Sequence, residues 1–189
     1  RVDVDAERLR QLDPFYLDAQ TVIDARMGYY DPDGSLNHPS LMVDGVLAGA
    51  QGSPPGVNAM QDLVDASGAV TVDFALEVAG DATDLEVPAT VTLVAPHALD
   101  LTGHVLEVVL VYEEVETPVE YQGVDVFHSV VRDHVTASAD LGSLAAGRHD
   151  FDVILNDPDP ATNPLGALTV HGKAVVAFVQ RTSDKHVIQ

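Results

Sequence analysis

Apolar and polar residues alternate along most of this chain. From position 69 onward Val70, Val72, Phe74, Leu76 and Val78 are separated by Thr71, Asp73, Ala75 and Glu77. A period of two puts one side of a strand in a core and the other in water. Further runs suited to strands lie at 85–94, 104–115, 124–135, 149–155 and 168–180, joined by segments rich in Gly, Asp and Pro. Strands at this spacing predict an antiparallel sandwich of about seven strands over 69–189. The first 66 residues are patterned differently. Val22, Ile23, Met27 and Tyr30 fall close to helical spacing across 19–30, with Asp18 as an N-cap and Asp31-Pro32-Asp33-Gly34 as a stop. Pro39 cannot donate to a sheet ladder and belongs at the start of a strand. Ser40 to Val43 then reads as a short strand, Asp44-Gly45 as a tight turn, and Val46 to Ala48 as the returning strand. A second helix is expected at 57–66, with Met60, Leu63 and Val64 inward, closed by Ser67-Gly68. The expected fold class is α+β: a small α/β module over 1–66, then an antiparallel β-sandwich over 69–189.

Composition narrows the chemistry. Of 189 residues 46% are hydrophobic, with no Trp and 5% aromatics. Val, Leu and Ala must therefore build the core, and a Val-rich core favours strands. The formal charge is −21 with only 9 Lys and Arg, which argues against binding nucleic acid or anionic lipid through backbone charge. There is no cysteine, so disulfides, thiolate metal sites and thiol nucleophiles are excluded for this chain. No apolar run approaches the ~18–20 residues of a membrane span. The chain opens at Arg1 without Met, inside what reads as a strand, Val2-Asp3-Val4. A processed or truncated chain is the expectation.

Two sets of residues look familiar together. One is Asp13-Pro14, Ala25-Arg26, Tyr29-Tyr30 and the run from His38 to Gly45. The other is Glu120-Tyr121, the run Phe127 to Arg132, and the ending Ala174 to Gln180 with Lys185 to Gln189. Together they resemble the later half of the thioredoxin-like domain, and the immunoglobulin-like β-sandwich after it, in bacterial extracytoplasmic proteins of the Omp28-related type. The resemblance implies a partial thioredoxin-like module at 1–66, a cis His38–Pro39 bond and an extracytoplasmic location. It would place the family's first strand, first helix, any Cys-x-x-Cys motif and any lipid anchor before Arg1.

Candidate sites follow from both readings. His38, Pro39 and Ser40 would form a peptide-binding edge, since the Pro loop of thioredoxins pairs with extended peptides by strand addition. Asp31 and Asp33 open an oxygen-rich loop like that of a calcium site. An EF-hand needs an acidic ligand at its twelfth position, and the twelfth residue from Asp31 is Met42. Asp157 and Asp159 lie in a second oxygen-rich loop, and Ca²⁺ takes such ligands. His128 and His134 are six residues apart, about 20 Å on a strand, too far to share a metal. A transition-metal site would have to be assembled from distant segments. No nucleophile elbow, P-loop or dinucleotide glycine fingerprint is present. Arg132, one of the few basic residues, is expected to pair with a nearby carboxylate.

The function these readings favour is a non-catalytic extracytoplasmic structural or protein-interaction subunit attached to a larger assembly. The alternative is a fragment of a thiol-disulfide oxidoreductase whose cysteine-bearing half precedes residue 1. A weaker alternative is a calcium-stabilised surface adhesin. The expected partner is a protein or larger complex, not nucleic acid.

Overall fold

Val, Ile and Thr are stiff at their branched carbons and pack well on a pleated surface. Where they alternate with polar residues the chain is extended. The computed structural model describes residues 42–43, 46–47, 73–82, 85–121, 124–157, 160–162, 167–184 and 186–188. In chain order the strands are β1 (Met42–Val43), β2 (Val46–Leu47), β3 (Ala75–Gly80), β4 (Glu86–Ala95), β5 (Leu99–Leu101) and β6 (His104–Tyr121). They continue with β7 (Val124–Ser138), β8 (Gly142–Leu144), β9 (Gly147–Asn156), β10 (Thr169–Val170) and β11 (Lys173–Arg181). One 3-10 turn spans Pro160–Thr162.

The α+β expectation is corrected. The described residues are 73% strand and 2% helix in antiparallel sheets, a β-rich fold rather than an α+β thioredoxin-like one. Period-two patterning governs them, and that pattern cannot cover a helix face. The helices expected at 19–30 and 57–66 lie outside the described residues. β1 and β2 pair antiparallel, Met42 opposite Leu47 and Val43 opposite Val46, the register a two-residue Asp-Gly connection calls for.

Two larger sheets form the body. One has the order β3-β4-β9. In the other β6 is central, with β7 on one side and β10 and β11 on the other. Their inner faces share one core: Val87, Val91 and Leu93 of β4, Leu155 of β9, Leu106, Val108 and Leu110 of β6, and Val179 of β11. All eight are fully buried. Two antiparallel sheets closing on one core is an arrangement compatible with a β-sandwich. Burying each such side chain is worth roughly 1.5–3 kcal/mol, so this layer carries most of the fold.

The outer faces differ. On the first sheet the Thr90 hydroxyl donates to Asp152 at 2.7 Å and Thr92 to Asp150 at 2.6 Å. Both are directly opposite pairs of β4 and β9, a polar ladder that gives way to Pro88 opposite Ile154, which is 59% exposed. On the second sheet Val109 and Val111 of β6 face outward between Val131 of β7 and Val176 of β11, which are 45% and 44% exposed.

Candidate functional site

β6 positions the polar chemistry of the second sheet. Its fully buried residues run Leu106, Val108, Leu110 and Tyr112, then Val115, so the fully buried side shifts from even to odd positions around Glu113. Both neighbouring strands are irregular at that level. Ser129 of β7 has φ 55°, and Gly172, between β10 and β11, has φ 103°. The hydrogen bonds Glu113 N to Gly172 O and His171 N to Glu114 O, 3.0 and 2.8 Å, keep β10 and β11 in one register along β6. Phe127 and Val130 accordingly pack on the same small cluster of Tyr112, Val115 and Leu168.

A buried polar group sits where the two sheets meet. The Tyr112 hydroxyl donates to Asp157 Oδ1 at 2.6 Å. Lys173, directly opposite Tyr112 in register, brings Nζ to 2.6 Å from Asp157 Oδ2. This second approach is a charge contact rather than an aligned hydrogen bond. The Asp157 side chain is fully buried and that of Lys173 is 19% exposed. Arg132 lies with its Cζ 5.0 Å from the centre of the Tyr112 ring, a cation–π distance. Burial pushes the Tyr112 phenol well above its ordinary range, and the hydrogen bond to the Asp157 carboxylate pushes it further. Tyr112 is therefore a fixed donor, unsuited to acting as a base or nucleophile near neutral pH.

Arg132 departs from expectation. Its place in β7 is a bulge: Leu110 pairs with Asp133 and Val111 with Val131, leaving Arg132 as the extra residue. The bulge turns it inward, so it is 5% exposed and lies over Tyr112, with no carboxylate paired to it among the described residues. Its Nε and Nη1 have no hydrogen-bond partner. Asp133, next along, accepts from Asn156 N at 2.6 Å and ties β7 to the end of β9.

Histidines pair with carboxylates along β6. The nearly buried Glu107 holds His134 Nε2 at 2.9 Å and accepts from the Thr136 hydroxyl at 2.8 Å. His128 Nδ1 lies 3.5 Å from Glu114, and His171 Nε2 lies 3.3 Å from Glu116. His128 and His134 thus take separate carboxylates. Among the described residues no three His, Asp or Glu side chains stand together in a way that could hold a metal ion.

Of the residues singled out from sequence, Asp157 is placed in the buried group just described. His38, Pro39, Ser40, Asp31, Asp33 and Asp159 lie outside the described residues. Sequence reasoning missed Tyr112, Lys173 and Glu107. Tyr112 had a legible signal, an inward position in an apolar run where its hydroxyl needs a partner. Lys173 had none, since only register sets it opposite Tyr112.

Among the described residues no helix is long and apolar enough to cross a membrane. No protein-family model matches the chain, and no curated protein matches its sequence.

Proposed function

We propose that this chain is a non-catalytic protein-interaction module of a larger assembly, docking through the outer face of the β7-β6-β11 sheet. The observation that carries the reading is the cluster of branched apolar side chains on three neighbouring strands of that face. The outer face of the other sheet carries Thr–Asp pairs beside the exposed Ile154. The docking face leaves Val131 and Val176 nearly half exposed around Val109 and Val111. An apolar patch on an otherwise acidic surface marks an interaction site. The charge of −21 favours a partner with a basic or neutral contact surface. The buried group around Asp157 supports the non-catalytic part, because its tyrosine is held as a donor and its carboxylate is engaged by Tyr112 and Lys173.

The test compares native co-purification of the wild type with a Val131→Asp/Val176→Asp double variant of unchanged melting temperature. Loss of a stoichiometric partner from the variant alone is the expected result. A partner retained equally by both, or a wild-type chain that is monodisperse and brings no partner down, overturns the reading.

A further inference from the structure

β3 forms one margin of the first sheet. It pairs with β4 from Ala75 opposite Val94 to Gly80 opposite Ala89 without a bulge. Among the described residues no strand pairs with its other side. Alternate residues of such an edge turn an N–H and a C=O away from the sheet, a template for another strand. Other margins are tied down. Asp133 of β7 accepts from Asn156 N at the end of β9, and Val187 and Ile188 pair with the end of β11. β3 lacks the proline and the bulge that blunt an edge. Its one charged side chain, Glu77, is paired with Arg148 at 2.7 Å. Leu76 packs against the common core, and Val78, two residues on, points the same way. Val78 lies opposite the fully buried Val91 yet is 40% exposed, because no strand flanks it on the open side.

We propose that β3 pairs antiparallel with β3 of a second copy of this chain, joining two sheets into one across a two-fold axis at Val78. Directly opposite residues point to the same face, so a two-fold pair that keeps the sheet continuous is centred on a residue. Centring on Ala75, Glu77 or Ala79 sets Glu77 opposite Asp73, Glu77 or Asp81 of the other copy, and like charges directly opposite destabilise. Centring on Leu76 or Gly80 engages half of the strand or less. Centring on Val78 sets valine against valine, Glu77 against Ala79 and Leu76 against Gly80. This register opposes no like charges and covers the exposed valine. The edge is thus its own complement. Each copy carries a charge of −21, so long-range repulsion works against the pair and salt screens it. The attraction comes from main-chain hydrogen bonds and apolar contact at the margin of the core.

Sedimentation velocity of the whole chain over a concentration series tests the pairing. The expected result is a reversible monomer–dimer equilibrium that tightens as salt is raised. Val78→Lys lowers the net negative charge but sets two ammonium groups against each other at the axis. Dimerisation should weaken by roughly tenfold or more, at a melting temperature that shows the variant folded. The chain has no cysteine, so a nitroxide on Val78→Cys reports a single position. Pulsed electron paramagnetic resonance should give a short spin–spin distance there and a much longer one from Val176→Cys. A chain that stays monomeric at every concentration and salt overturns the proposal, including one whose β3 amides are protected from hydrogen exchange by another segment of the same chain. So does a dimer that Val78→Lys leaves intact. A dimer lost in Val131→Asp/Val176→Asp also overturns it, because the contact would then lie on the outer face of the other sheet.

Discussion

Asp157 is the side chain whose placement depends most on its partners. A fully buried carboxylate is tolerable only when it is paired and hydrogen-bonded, and Tyr112 and Lys173 supply both. Removing the carboxylate leaves Lys173 without its anion, with Arg132 and Lys173 at 5.0 and 5.8 Å from the Tyr112 ring centre. Asp157→Ala is expected to destabilise the fold by about 3–5 kcal/mol. Tyr112→Phe, which removes only the donor, should cost about 1–3 kcal/mol. Urea unfolding measures both, and equal effects would show that the hydroxyl rather than the charge dominates. Asp184 illustrates the exposed case. Two hydrogen bonds from Arg181 hold its carboxyl at about 2, below the ordinary 3.8. A depressed carboxylate contributes stability that is fully present above its unfolded value and is lost as pH falls through the folded one. The Asp184 carboxyl carbon shift in NMR should therefore titrate near pH 2. Both partners are well exposed, so screening keeps the effect on stability small.

At the scale of the element, β6 and its neighbours share an irregular level at Glu113. Ser129 stands at φ 55°, a left-handed conformation that costs an L-residue roughly 1–2 kcal/mol and glycine almost nothing. Ser129→Gly is expected to raise stability by about 0.5–1 kcal/mol, the relief being partly offset by the greater freedom of an unfolded glycine. Gly172 is the opposite case. Its φ of 103° disfavours any side chain, and a Cβ there would collide with the Glu113 side chain. Gly172→Ala should lower stability by about 1–3 kcal/mol. Thermal unfolding of the two variants checks the pair, and shifts of the same sign would refute the strained-level reading.

For the whole molecule, stability resides in the layer between the sheets. Leu106 is fully buried there, and Leu106→Ala should cost about 2–5 kcal/mol through lost burial and the cavity left behind. Val176→Ala, on the outer face, should stay within about 0.5 kcal/mol. Chemical denaturation of both variants distinguishes a core layer from an interaction face. Similar losses would mean that the outer face is itself structural, and docking there would lose its basis.

Local alternation was enough to locate the long strands among the described residues, though not the short β5 and β8. The segments 85–94, 104–115, 124–135 and 149–155 became β4, β6, β7 and β9, and 168–180 became β10 and β11. Alternation is local, and inward positions such as Leu106, Val108 and Leu110 need no knowledge of the partner strand. The Asp44-Gly45 signal likewise anticipated the pairing of β1 with β2. The α+β class was the wrong reading: the described residues are 73% strand and 2% helix, and the helices expected at 19–30 and 57–66 lie outside them. The roles of the polar residues were set by contacts between strands far apart in the chain. Tyr112 and Asp157 are 45 residues apart in the chain, and their meeting depends on how the two sheets close on each other. The inward turn of Arg132 depends on a bulge that no composition rule announces. His128 and His171 flank Glu114 because three strands share a register, and register is set by pairing across the sheet rather than by any segment alone.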